Sequence, residues 1–269
     1  PGSVVLQCHP AASPDSTTRC HQPTHQQSLT PLCATIRVMS ERNHENIGNI
    51  NNQESPFHAG ETIIAPHGGP ITDVIFDYCD VLLDWRPWRA LEGLYPQGVI
   101  DMFFDPADEW GYDFIDRLLD SGVPTQDVLA EYSRHHGPAV TWVLRMWLEH
   151  EERAIFGVLD GMEQLVDDLQ SAGVGVWGLT NFTTEAVDIA HSRFDVFSRL
   201  QDTLVSSQER LLKPDPVIYL RAIDRFGVDP QSTVFFDDNP RNARGARIAG
   251  LRGVTFTSAD QARAVLGLS

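Results

Sequence analysis

Asp73-Val74-Ile75-Phe76-Asp77-Tyr78-Cys79-Asp80-Val81-Leu82 carries a short apolar run that ends in a carboxylate. Its β-branched and aromatic residues, followed by a turn-forming string, predict a buried strand with Asp77 at the C-terminal end. Far downstream, Thr233-Val234-Phe235-Phe236 ends the same way, in Asp237-Asp238-Asn239. Ligand sites of open α/β sheets lie at the carboxyl ends of the strands. The two acidic tips are therefore expected to converge on one cation or one phosphate.

Between and beyond these runs the pattern is strand then helix, repeatedly. Strands are predicted over 73–77, 173–179, 203–206, 233–236 and 253–256, and helices over 161–171, 183–192, 214–226, 240–249 and 259–266. Such alternation implies a mainly parallel, Rossmann-like α/β sheet covered on both faces. Residues 86–156 break the rhythm. They are rich in Trp, Phe, Leu and acidic residues, predict several helices (around 87–94, 109–120, 125–135 and 139–153) and show no convincing strand. Gly137-Pro138 separates the last two. Residues 85–156 are expected to be an α-helical cap inserted over the strand ends, with a core formed by 70–84 and 157–269. Residues 1–69 are rich in Ser, Thr, Gln, Asn, His and Pro without sustained periodicity, and are expected to be a disordered or weakly ordered tail. The Cys8-His9 and Cys20-His21 pairs there match no familiar zinc spacing.

The 269 residues suffice for a large domain and a substantial buried core. A formal charge of -17 argues against nucleic acid as a partner, since phosphate backbones need clustered Lys and Arg. No run approaches the roughly 18–20 apolar residues of a membrane span. A basic n-region leading into about 7–15 apolar residues is also lacking, so no secretory signal is expected. Of the four cysteines only Cys79 falls in the patterned part, which fits a reducing, cytoplasmic location. A monomer or homodimer is expected.

Four segments then stand together: Asp77-Tyr78-Cys79-Asp80-Val81-Leu82, Leu179-Thr180-Asn181, Leu212-Lys213-Pro214-Asp215-Pro216 and Phe235-Phe236-Asp237-Asp238-Asn239. In this order and at these separations they resemble the haloacid dehalogenase-like (HAD) hydrolase superfamily over about residues 72–257. The nearest likeness is to its small sugar-phosphatase-like subgroup, with motifs Asp-x-Gly-Asn/Gly-Val and Phe-Asp-Asp-Asn. The resemblance implies a Mg²⁺-dependent phosphatase that acts on a small phosphorylated metabolite through an aspartyl-phosphate on Asp77. It implies Mg²⁺ held by Asp77, the backbone carbonyl of Cys79 and Asp238, with Asp237 as the alternative ligand. Strand residues alternate faces, so Asp237 and Asp238 should differ in role, Asp237 pairing with Lys213. Thr180 and Lys213 would donate to the phosphoryl oxygens, and Asn181 would add a donor.

One position departs from the pattern. Most phosphatases of the superfamily carry an acid–base Asp two residues after the nucleophile; here that residue is Cys79, followed by Asp80. A thiol of ordinary pKa about 8.5 is a poor general acid, and losing such a group typically costs about 10²–10⁴ in rate. The resembling subgroup also lacks this Asp, which leaves room for activity on sugar 1-phosphates. Asp80 acting as a substitute acid is a second reading. The alternatives for the whole chain are a 2-haloacid dehalogenase-type hydrolase and a catalytically impaired HAD-fold binding protein. Asn242 is expected to be a local helix-start hydrogen-bonder, and His135, His136, His150 and His191 to be surface or cap residues.

Overall fold

The computed structural model describes residues 70–268. The segment read as a tail, with its Cys-His pairs, lies outside the described residues. The described strands are β1 (Asp73–Phe76), β2 (Leu83–Trp85), β3 (Ile155–Val158), β4 (Gly175–Thr180), β5 (Thr203–Val205), β6 (Thr233–Asp237) and β7 (Arg252–Thr255). The helices are α1 (Gln97–Phe103), α2 (Tyr112–Asp120), α3 (Thr125–Glu149), α4 (Met162–Ser171), α5 (Thr184–Arg193), α6 (Ser206–Glu209), α7 (Pro216–Phe226), α8 (Pro240–Ile248) and α9 (Ala259–Leu266).

Five strands form one parallel sheet in the order β5-β4-β1-β6-β7. The chain steps from β1 to β4 and β5 on one side, then crosses to β6 and β7 on the other. β1 is thus the point where the strand order reverses, and its carboxyl end opens onto a crevice. Side chains alternate across it. Val74 and Phe76 join one buried cluster with Val176, Val234, Phe236 and Val254. Ile75 joins another, on the opposite face, with Leu179, Leu204, Phe235 and Tyr219. Fully burying each such aliphatic or aromatic side chain contributes roughly 1.5–3 kcal/mol, so a sheet covered on both faces is the stable arrangement for these runs.

The helices that carry site residues begin where the sequence supplies caps. Thr183 accepts the Ala186 N–H ahead of α5, Asp215 the Val217 N–H ahead of α7, and Asn239 the Arg241 N–H ahead of α8. Pro216 and Pro240 occupy first-turn positions, where a missing N–H costs nothing. The helix predicted from Pro214 starts two residues later for this reason.

Residues 86–156 differ from expectation in two ways. Ile155 opens strand β3, which pairs antiparallel with β2 in a separate two-stranded sheet. A strand of four residues, two of them Gly157 and the exposed Phe156, gives no periodic signal to read. Helix α1 follows Pro96 and lies in a stretch that carried no helix prediction. The two helices predicted on either side of Gly137-Pro138 are separated as expected, for α3 breaks at Gly137 (φ 74, ψ 172). Only glycine adopts that conformation without strain, and Pro138 lacks the N–H that would continue the ladder. Among the described residues no helix is long and apolar enough to cross a membrane.

Candidate active site

The register of the sheet fixes where the acidic tips fall. Phe76 lies opposite Gly178 on β4 and opposite Phe236 on β6, and the Asp77 N–H donates to the Phe236 carbonyl at 3.0 Å. One residue further on, Asp77 and Asp237 emerge side by side. Asp237 is fully buried while Asp238, one step along the pleat, is exposed. One oxygen from each of Asp77, Asp237 and Asp238 lies within 4.8 Å of the others.

Lys213 reaches this cluster from the turn ahead of α7. Its buried Nζ is 2.6 Å from Asp77 Oδ1 and donates to Asp237 Oδ2 at 2.8 Å and to the Leu179 carbonyl at 3.3 Å. An ammonium has three donors, so all three are engaged. Burial works to strip its proton, but Asp237 and Asp77 outweigh it and hold the Lys213 pKa above its usual value. Burial pushes the Asp77 carboxyl well up; Lys213 opposes this, while Asp237 and Asp238 add to it. Asp238 is raised for the same reasons, with burial first and Asp237 next.

The side-chain amide of Asn181, of the donors expected from side chain or backbone, is turned to Lys213. Its Nδ2 donates to the Lys213 carbonyl at 3.1 Å and its Oδ1 accepts the Lys213 N–H at 2.9 Å. The amide is spent on holding Lys213, because Asn181 follows the last residue of β4 and faces the turn that delivers the lysine. Thr180 is different. It is fully buried, and its Oγ1 has no hydrogen-bond partner. An unsatisfied buried hydroxyl costs about 1–3 kcal/mol, a cost that a phosphoryl oxygen at that position would remove.

Two residues join the set by contact. Asn242, in the first turn of α8, donates from Nδ2 to both oxygens of Asp237, at 3.0 and 3.1 Å. The Asn239 N–H, at the start of the same turn, adds a bond to Asp237 Oδ1 at 2.9 Å. Helix α8 can lie this close because Gly245 faces Pro214; a Cβ there would fall 2.5 Å from the Pro214 carbonyl oxygen. Asn242 is thus more than a local helix-start bonder, since it reads back across five residues to the strand tip.

Around the first acidic tip, the Tyr78 N–H donates to Asp77 Oδ1 at 2.7 Å. Cys79 is partly buried, and burial, then Asp77 and Asp120, push its thiol pKa well up. No backbone hydrogen bond among the described residues ends on its carbonyl oxygen, which fits the ligand expected of it. Asp80 sits at φ 56, a left-handed turn conformation that Asp tolerates, and its charge is felt at Asp238. Tyr78 points to the other side of β1, where its hydroxyl meets His191 Nε2 and Thr203 Oγ1, each at 2.8 Å. His191 is exposed, as expected of it, and His136, bonded to Asp108 at 2.6 Å, is partly buried against Tyr132.

Buried carboxylate oxygens at a strand-order reversal, one lysine and an orphan threonine hydroxyl form a recognisable arrangement. The family model for haloacid dehalogenase-like hydrolases matches residues 74–250. The chain belongs to that family. Flavin mononucleotide hydrolase 1 of Arabidopsis thaliana is 31% identical over 108 residues, which are 40% of this chain and 44% of that one. Phosphoserine phosphatase of Thermus thermophilus is 42% identical over 52 residues, 19% of this chain and 21% of that one. The matched stretches thus span less than half of these curated relatives. A HAD family enzyme from Bacteroides thetaiotaomicron, solved in complex with magnesium and inorganic phosphate, superposes with a TM-score of 0.54 at 19% identity, covering 70% of this chain and 95% of that one. A HAD-like family hydrolase from Porphyromonas gingivalis gives 0.53 at 22%, covering 68% and 89%. At those identities the likeness is one of fold, and the HAD-like α/β fold is shared.

Within this HAD-like hydrolase the donor set suits a hard cation. Three carboxylates face one ammonium, leaving an excess of negative charge, and every donor is oxygen. Mg²⁺ takes such oxygens, commonly from one or two carboxylates with water or phosphate completing the shell.

Proposed function

We propose that this HAD-like hydrolase is a Mg²⁺-dependent phosphatase that cleaves a small phosphomonoester through an aspartyl-phosphate on Asp77. The observation that carries the reading is the meeting of Asp77, Asp237 and Asp238 with Lys213 beside the unpartnered Thr180 hydroxyl. A buried hydroxyl without a partner beside three carboxylates and a lysine supports a site that binds a phosphoryl group with a cation, where halide displacement needs no cation. The same observation argues against a chain that has lost its chemistry.

In this reading Asp77, Asp238 and the Cys79 carbonyl hold Mg²⁺, with Asp237 kept off the ion by Lys213 and Asn242. When bound, the ion supplies the positive charge that lets a dianionic phosphate approach a carboxylate. Asp77 attacks phosphorus, and splitting the hydrolysis into two displacements lowers each barrier. Thr180 donates to a phosphoryl oxygen. Lys213 neutralises Asp77 and Asp237; for it to touch the phosphoryl group, its weakest bond, to the Leu179 carbonyl, is the one exchanged. The helical segment between β2 and β3 serves as a cap that excludes water, and the sugar-phosphatase-like motifs favour a sugar phosphate as substrate. A cytoplasmic protein without nucleic-acid or membrane partners fits the acidic surface and the single thiol of the patterned region.

The test is phosphate release from p-nitrophenyl phosphate with Mg²⁺ and with EDTA. Turnover that needs Mg²⁺ and vanishes in Asp77→Asn supports the reading. Metal-independent fluoride release from fluoroacetate, or no turnover by folded protein on either compound, would sink it. Mg²⁺ at about 100 times its Kd is expected to stabilise the fold by about 2.7 kcal/mol, seen as a rise in melting temperature that Asp238→Asn abolishes.

A further inference from the structure

A leaving alkoxide must be protonated as its bond to phosphorus breaks, and the residues around Asp77 do not obviously provide the proton. Lys213 has all three donors engaged, and a thiol of ordinary pKa about 8.5, as at Cys79, is a poor general acid.

Helix α2 offers another group. Its last residue, Asp120, is buried, at 8% exposure, and no hydrogen bond or ion pair among the described residues reaches its carboxyl. Its place is fixed through the main chain. The buried Ser206 hydroxyl donates to the Asp120 carbonyl at 2.7 Å and accepts the Phe182 N–H at 3.0 Å. Ser206 follows Val205, the register partner of Thr180. Gly122, two residues on, packs so tightly that a Cβ there would meet the Ser207 carbonyl at 2.3 Å. The end of α2 is thus pinned at the level of Thr180, beside the crevice. The charges of Asp77 and Lys213 are felt at Asp120, and that of Asp120 at Cys79. The groups that face it are Asp116 from its own helix, Glu151 from the 3-10 turn Glu151–Arg153, and Asp77 and Lys213 from the core. Burial first, then Asp116 and Glu151, raise its pKa well above the usual carboxylate range.

We propose that Asp120, held at the crevice by Ser206, is the general acid and base of phosphoryl transfer in this chain. This rests on the phosphatase reading above. In the first half-reaction an Asp77 oxygen forms a bond to phosphorus while the bond to the leaving oxygen breaks. The electron pair goes to that oxygen, which takes the Asp120 proton and departs as the alcohol. In the second, the Asp120 carboxylate takes a proton from water as its oxygen attacks phosphorus. The bond from phosphorus to Asp77 breaks, releasing phosphate and restoring both acids.

The experiment compares two leaving groups with Mg²⁺ present. p-Nitrophenolate departs readily without a proton, whereas the phenolate of phenyl phosphate is far more basic and benefits from one. The second half-reaction is common to both substrates, so Asp120→Asn is expected to lower kcat on both. Its kcat/KM, which reads only the first half-reaction, is expected to stay within about 3-fold for p-nitrophenyl phosphate and to fall about 100-fold for phenyl phosphate. The retained activity reports a folded site, and Asp120→Ser gives the same readout from a second side chain. Recovery of phenyl phosphate turnover on adding Cys79→Asp to Asp120→Asn supports the assignment further. Equal losses of kcat/KM on both substrates, or none, overturn it. A chain with no Asp77-dependent turnover on either substrate instead overturns the phosphatase reading, and the role of Asp120 with it.

Discussion

The side-chain amide of Asn181 clasps the main chain of Lys213 from both sides, Nδ2 donating to its carbonyl at 3.1 Å and Oδ1 accepting its N–H at 2.9 Å. Strand β4 ends at Thr180, so this clasp ties the lysine's turn to the strand that also carries the orphan hydroxyl. Both groups proposed to meet the phosphoryl oxygens are thereby set by one short segment. Asn181→Ala removes two hydrogen bonds at once. A loss of about 1–3 kcal/mol in denaturant unfolding is expected, with turnover of p-nitrophenyl phosphate falling more than KM rises. Unchanged kcat would mean that Lys213 is aimed by other contacts.

Lys213 itself carries a heavier burden. It is the shared partner of Asp77 at 2.6 Å and Asp237 at 2.8 Å, and all three side chains are buried. Removing one member of such a set leaves uncompensated charge in the interior. Lys213→Met is expected to destabilise the fold by about 3–5 kcal/mol and to abolish turnover. Adding Asp77→Asn to Lys213→Met removes one of the stranded charges, so the double variant is expected to unfold at higher denaturant than the single one. Additive losses would show that the pair is not coupled.

Thr180 separates stability from chemistry. Its hydroxyl has no hydrogen-bond partner among the described residues, so a methyl in its place removes no hydrogen bond and relieves a buried polar atom. Thr180→Val is expected to leave unfolding unchanged or slightly favoured, while turnover falls about 10²-fold or more. A clear loss of stability would mean that the hydroxyl has a structural partner.

Much of this architecture was legible because local rules agreed. Val74-Ile75-Phe76 and Val234-Phe235-Phe236 are buried strands, and Asp215, Pro216, Asn239 and Pro240 mark helix starts. Their pairing was not legible. Which strands neighbour β1 depends on contacts between residues a hundred or more positions apart, and no local pattern encodes them. The same limit hid the Asn181 clasp and the reach of Asn242 to Asp237, because each looks like an ordinary cap residue until its partner is placed. Helix α2 did hold an unread signal. Tyr112, Asp116 and Asp120 recur every four residues on the face that also buries Ile115 and Leu119, so two acids lie along an apolar stripe. Acids on a buried face are rarely solvated surface groups.

Glu151 belongs to the same acidic neighbourhood, and its titration gives the chain a pH-dependent stability. Burial first, then Asp116, Glu185 and Glu152, lift its pKa to about 8 from an ordinary 4.5. Between those values the folded chain holds a proton that the unfolded chain has released. Unfolding therefore releases a proton, and stability falls as pH rises through 4.5 to 8. Below that window the group has no effect, and above it the full cost of the buried charge remains. Asp116, lifted to about 6 mainly by burial, adds a slope of the same sign ending at lower pH. Glu151→Gln keeps the shape and removes the charge. It is expected to match the unmodified chain near pH 4.5 and to be more stable near pH 8 by on the order of 1–3 kcal/mol, with a flatter profile between. Thermal or denaturant unfolding at several pH values reads this directly. Parallel pH profiles for the two proteins would show that Glu151 is ionised in the fold at neutral pH, and that the acids of this segment do not hold one another's protons.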